Sequence, residues 1–294
     1  MMRQQRTDLA AESRDLWREE NGPVTELPGV RARDYHRHGF PISRVEILDE
    51  RGAKALGKPA GVYTTVELRT YFSDRALQFP RAASALAEEL VPLLPERGPV
   101  LVAGLGNAAM TPDALGPQVV GHLLVTRHLR DMLPDLRSVA GAAAGVLGTT
   151  GMEAAEWVRG IAERVEPAAV VVVDALAARE VERLCTTVQL SDTGIVPGSG
   201  VGNARMALNR ETLGVPVISV GVPTVVDALT LAADLLPGGE RGLPEALRRQ
   251  GRCLFVTPRD VDSQVRELSR VVGYGLNLAL QRGLTVSDLE ALMA

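Results

Sequence analysis

The chain has 294 residues, 46% of them apolar and 23% charged, which is globular composition and excludes a disordered or low-complexity chain. Lysine and arginine number 32 against 36 aspartates and glutamates, a formal charge of −4 that offers no basic field for nucleic acid. Two distant cysteines, Cys185 and Cys253, exclude a disulfide scaffold or cysteine zinc module, and the longest apolar runs fall far short of the roughly 18 residues of a membrane span.

Residues 1–15 are polar from the start and lack the apolar core of a secretory signal, so a soluble, cytoplasmic protein is expected. Thr7 or Asp8 can cap a first helix with Leu9, Leu16 and Trp17 near one face, stopped by Asn21-Gly22-Pro23. Residues 30–38 and 42–48, separated by Gly39-Phe40-Pro41, read as a polar hairpin, and 62–68 as a further strand. A helix over about 74–93 leads into the main body. From Pro99 onward, short apolar runs at 100–105, 139–144, 169–173, 188–190, 215–220 and 254–256 alternate with helical patterns at 113–129, 151–165, 225–235 and 261–280. Strands without polar interruption are covered by helices on both faces, so this half predicts a mainly parallel α/β sheet. Residues 235–251, with Pro-Gly-Gly and many charges, read as a surface connection. The whole is one α/β domain, with a β-rich N-terminal elaboration over about 9–97 and a core over about 98–294.

In open α/β sheets, sites form beyond the carboxyl ends of the strands. Asp174 follows four valines, where lost hydration favours the protonated carboxyl; it also serves equally as a cap for the next turn. Asp113, in Thr111-Pro112-Asp113, follows the first strand of the core and reads either as a helix cap or as a site residue. If the two converge, one carboxyl can act as base on a water while the other donates a proton; the same pair can instead hold a divalent metal. Asn107, Asp192 and Asp227 are weaker candidates for the site wall, as is the glycine-rich loop 191–203. Gly104-x-Gly106-x-x-Ala109 fits a loose dinucleotide fingerprint, but Thr111-Pro112 delays the helix and the second strand ends without an acid. Asp192-Thr193-Gly194 spells a pepsin-type triplet without a second copy, Ser199 lacks the G-x-S-x-G elbow, and the four histidines form no metal motif.

Several segments together resemble the germination protease family, the endopeptidases that degrade small acid-soluble spore proteins. They are Arg6-Thr7-Asp8-Leu9-Ala10, Gly104-Leu105-Gly106-Asn107, Thr111-Pro112-Asp113-Ala114-Leu115-Gly116-Pro117, and Thr126-Arg127-His128-Leu129. They continue with Asp174-Ala175-Leu176-Ala177-Ala178-Arg179, Gly198-Ser199-Gly200-Val201-Gly202-Asn203, Gly221-Val222-Pro223-Thr224-Val225-Val226-Asp227-Ala228 and Val256-Thr257-Pro258. The resemblance implies a three-layer α/β sandwich similar to hydrogenase-maturation proteases. It also implies a zymogen that assembles as a homotetramer in the forespore or spore core, without cofactor, membrane or direct nucleic-acid contact. The family's catalytic aspartates fall on Asp113 and Asp174. Self-cleavage falls between Asp8 and Leu9 and removes residues 1–8 as a propeptide; substrates are cut after an acidic residue followed by a bulky apolar one and Ala. A tethered substrate-like segment has a high effective concentration at the site, and a fall in pH would help by protonating one of the carboxylate pair. The pro-segment is shorter than in well-known members, and residues 234–253 are compact where relatives carry a long insertion; neither departure touches Asp113 or Asp174. Two alternatives keep the fold: a metal-dependent protease using the aspartates as ligands, and a non-catalytic peptide-binding protein.

Overall fold

A computed structural model describes residues 7–22, 27–236, 242–245 and 254–293. Much of the connection expected at 235–251, and Pro23 after the first helix, lie outside the described residues.

The fold is organised by one nine-stranded mixed sheet. Val100–Gly104 (β4), Val139–Ala143 (β5), Ala169–Ala178 (β6) and Val217–Asp227 (β8) are parallel neighbours in the order β5-β4-β6-β8. The sheet then continues antiparallel through Thr187–Ser191 (β7), Gly61–Glu67 (β3), Phe40–Ile47 (β2) and Val30–Arg37 (β1), while Phe255–Val256 (β9) pairs with the far end of β8. The N-terminal strands are therefore an extension of the core sheet, joined to it at β3–β7.

Val170, Val171, Val172 and Val173 are all inaccessible, because their side chains alternate between two covered faces. On one face Val171 and Val173, with Val100, Val102, Ile218 and Val220, meet the helices Arg75–Leu90 (α3), Leu115–Val120 (α4) and Val261–Leu280 (α9). Phe79 and Tyr274 meet edge to face at 5.0 Å between α3 and α9, and Arg270 lies 4.1 Å over the Phe79 ring. On the other face Val170, Val172, Leu101 and Ala103 pack on Ala155, Val158 and Ala162 of Ala154–Val165 (α6), which falls in the chain between two short helices, Leu147–Thr150 (α5) and Arg210–Leu213 (α7). Toward β2 and β3, Ala10 of Ala10–Asn21 (α1) and Leu56 of Glu50–Leu56 (α2) pack with Val45, Ile47 and Tyr63. Three layers result, as the sequence leads one to expect.

Several local expectations change. The hairpin turns at His38-Gly39, both with positive φ, so Phe40 and Pro41 belong to β2 and Phe40 is core rather than loop. Two residues of positive φ match the twist of the strands they join. The first helix is capped by neither Thr7 nor Asp8; it starts after Leu9, and Asp8 is bound elsewhere. The helix expected over 113–129 reduces to a 3-10 turn at Thr111–Asp113, the short α4, and an irregular stretch. Strands β6 and β8 run several residues past the end of β4, which stops opposite Val173. Asp174 is thus within a strand rather than at its tip, one residue beyond the end of its neighbour.

Candidate active site

Asp113 is positioned by a loop that folds back over the end of β4. Gly106 adopts φ +108, and a Cβ there would lie 2.0 Å from the Asp113 carbonyl oxygen, so only glycine allows the approach. The Asn107 N–H donates to Asp113 Oδ2 at 2.8 Å, while Asn107 Oδ1 accepts from the Ala109 N–H at 3.0 Å. Thr224 Oγ1 donates to the Pro112 carbonyl at 2.6 Å and ties the turn to β8. Asp113 and Asp174 line one cavity of about 540 Å³.

The two carboxyls differ in environment. Burial pushes the Asp113 carboxyl up, and the bond from Asn107 partly opposes this. Asp174 is only 6% exposed, and its Oδ1 accepts from the Ala175 N–H at 2.9 Å. Burial holds it well above the usual carboxylate range, and the negative charges of Asp113 and Asp8 raise it further. Two unequal carboxyls are the arrangement in which one holds a proton while the other is ionised.

Two further carboxyl residues line the cavity, Glu153 and Asp8, and Asp8 comes from the N-terminal segment. Ser199 Oγ donates to its Oδ1 at 2.8 Å and the Ala177 N–H to its Oδ2 at 2.9 Å, while the Asp8 N–H donates to the Ala177 carbonyl at 3.0 Å. Its own carbonyl oxygen accepts from Lys58 Nζ and from Gln189 Nε2, each at 2.9 Å. Leu9 is fully buried among Leu176, Ala178, Leu184 and Val226. The Ala10 N–H donates to Gln189 Oε1 at 2.7 Å. Glu12 then closes the segment: its carboxylate accepts from the Arg179 and Glu180 N–H groups, each at 2.9 Å, and from the Thr7 hydroxyl, with Arg183 Nε at 3.6 Å. Asp8, Leu9 and Glu12 therefore each sit against chemistry that suits them.

The germination protease family model matches residues 7–237. The chain belongs to the germination protease family. A germination protease of Caldanaerobacter subterraneus subsp. tengcongensis is 43% identical over 98% of both chains. That of Clostridium tetani is 38% identical over 97% of this chain and 98% of the relative. That of Bacillus pumilus is 36% identical over 97% and 95%. Among solved structures, a hydrogenase maturation protease from Thermococcus kodakarensis KOD1 aligns over 64% of this chain and 98% of that one, with TM-score 0.37 and 16% identity.

In this family member the other sequence candidates serve in different places. Asn107 touches Asp113 through its backbone and is not itself in the cavity lining. Asp192 accepts from the Val62 N–H at 2.8 Å, and buried Asp227 caps Ala228–Leu235 (α8) by accepting from Thr230; neither lines the cavity. The loop 195–203 does line it, through Ser199 and Gly200 among others. Sequence reasoning missed Lys58, Gln189 and the backbone of Ala177. One signal was available for Lys58: it is one of two lysines among 32 basic residues. Among the described residues no group of three His, Cys, Asp or Glu is arranged to hold a metal ion, and no helix is long and apolar enough to cross a membrane.

Proposed function

We propose that this peptidase is an endopeptidase that cuts its own Asp8–Leu9 bond and then small acid-soluble spore proteins, after an acidic residue followed by a bulky apolar one. The observation that carries the reading is the bound segment: Asp8 and Leu9 occupy a charged-group site and an apolar site beside Asp113 and Asp174. Asp174, with the more strongly raised pKa, holds the shared proton, and ionised Asp113 is the base. Asp113 takes a proton from water as the water oxygen adds to the Asp8 carbonyl carbon. Asp174 gives its proton to the Leu9 nitrogen as the carbon–nitrogen bond breaks. Removal of residues 1–8 as a propeptide follows directly from this assignment. The family resemblance supports a homotetramer and a location in the forespore or spore core.

The test is a peptide spanning residues 7–12, incubated with wild type, Asp113→Asn and Asp174→Asn, and its products weighed. Cleavage after the aspartate by wild type alone is expected, with the rate unchanged by chelator. Loss of activity on chelation would favour the aspartates as metal ligands, and binding without cleavage would favour the non-catalytic reading.

A further inference from the structure

The carbonyl oxygen of Asp8 is held as tightly as its side chain. Lys58 Nζ and Gln189 Nε2 both donate to it at 2.9 Å, which uses both of its lone pairs. Two features separate this from a simple tether. First, Lys58 bypasses the adjacent carboxylate: Asp8 Oδ1 and Oδ2 are taken by Ser199 and Ala177, and among the described residues Lys58 forms no ion pair within 4.0 Å. Among the described residues its Nζ donates only to main-chain carbonyls, that of Asp8 and, at 3.4 Å, that of Thr7. Second, the amide of Gln189 is oriented from both ends. Its Oε1 accepts from the Ala10 N–H at 2.7 Å, so its Nε2 faces the Asp8 carbonyl. Both contacts read the peptide backbone and hold for any side chains in those positions.

The fold fixes these donors. Lys58 follows Gly57, the left-handed cap of α2, and the Lys58 N–H closes that cap on the Ala53 carbonyl. Tyr63 Oη donates to the next carbonyl, that of Pro59, at 3.0 Å. Gln189 stands on β7 opposite Gly221 of β8, in the interior of the sheet.

We infer that Lys58 and Gln189 are catalytic residues that hold the carbonyl oxygen of the bond to be cut and carry its negative charge as water adds. The inference rests on the assignment of Asp8–Leu9 as that bond. As the water oxygen bonds to the Asp8 carbon, the carbonyl electron pair moves onto the oxygen between the two donors. It returns when the carbon–nitrogen bond breaks and the Leu9 nitrogen takes its proton. An ammonium and an amide already in place gain most when that charge is greatest, which lowers the barrier rather than merely tightening binding.

The test is the rate of self-cleavage, followed by intact mass, in wild type, Lys58→Met, Lys58→Arg and Gln189→Leu, with folding checked by circular dichroism. Lys58→Met is expected to be about 100- to 1000-fold slower and Gln189→Leu at least about 10-fold slower. The pH profile separates chemistry from structural support. Burial lowers the Lys58 pKa, while the carboxylates facing it, Asp8 and Glu12, oppose that shift; Tyr63 and Gln189 share its cavity. Wild type is expected to lose activity as pH rises through the lowered Lys58 value. Lys58→Arg is expected to retain cleavage and show a shallower alkaline limb, because a guanidinium stays charged and only the ionisation of Asp174 remains to remove activity. Should Lys58→Met not fold, Lys58→Arg and Gln189→Leu carry the test. Lys58→Met within threefold of wild type, or an alkaline limb in Lys58→Arg as steep as that of wild type, overturns the donor pair alone. A wild type left intact, or cut elsewhere, overturns the bond assignment and the donor pair with it.

Discussion

Asp174 is where the physical chemistry is most exposed to test. Its folded pKa is raised by burial and by the charges of Asp113 and Asp8, so the native state favours the neutral carboxyl. The stability this contributes is complete below the unfolded value of about 3.9 and is lost as pH rises through the folded value. Replacing Asp174 by Asn removes that loss. In an Asp113→Asn background, which keeps the chain uncut, Asp174→Asn is expected to raise Tm at pH 7–8, with the gain vanishing below about pH 4; thermal melts across that range decide it. The same directions predict that self-cleavage accelerates as pH falls toward the raised Asp174 value and slows again once Asp113 is protonated. A flat profile across the carboxylate range would contradict the acid/base pair. Ser199, whose hydroxyl reaches Asp8 Oδ1 from a solvent-exposed loop, contributes less: Ser199→Ala is expected to slow cleavage after Asp8 by about tenfold, read by intact mass. Asp113 and Asp174 could be picked from sequence because each follows a run of buried apolar residues. Ala177 could not, because its contribution is a main-chain N–H with no side-chain signature.

At the scale of elements, the strands were legible and their lengths were not. The valine run announces β6, but its continuation through Asp174 depends on partners in β8, with a register shift between Leu176 and Ala177. The stretch after α4 failed for a similar reason. Its helical spacing is interrupted at Gly121, and the released backbone is bound from α9: the Leu124 N–H donates to Asn277 Oδ1 and Asn277 Nδ2 donates to the His122 carbonyl, each at 2.9 Å. A partner 153 residues away has no local signal. α2 was missed although Asp49 caps it by accepting from the Arg51 and Gly52 N–H groups. The glycine-rich turn Ser199–Val201 offers a direct test of how Asp8 is seated. A Cβ on Gly200 would lie 2.1 Å from Asp8 Oδ2 and 2.7 Å from the Cβ of buried Ala177, so Gly200→Ala is expected to reduce self-cleavage at least about 30-fold, an estimate from misplacement of the reacting bond, and to lower Tm. Equal rates for Gly200→Ala and wild type would show that Asp8 need not dock there.

For the whole molecule, alternation of apolar runs with helices identified an α/β protein, yet the antiparallel half of the sheet was legible only as separate strands. Their union through β3 and β7 depends on pairing across 120 residues or more. The larger set of buried apolar side chains lies where α3 and α9 pack on the sheet, and Leu86 of α3 is not among the residues lining the cavity. Leu86, 1% exposed, belongs to that cluster, and Leu86→Ala is expected to cost about 2–5 kcal/mol while the cleavage rate of the folded fraction stays unchanged. Denaturant titration and intact mass on the same sample check both halves of that statement. The central claim, that a carboxyl pair cuts the docked N-terminal segment, is tested most directly by the intact mass of the full chain after incubation at mildly acidic pH, for wild type, Asp113→Asn and Asp174→Asn. The account predicts loss of residues 1–8 from wild type and none from either variant; loss from all three, or cleavage at another bond, would contradict it.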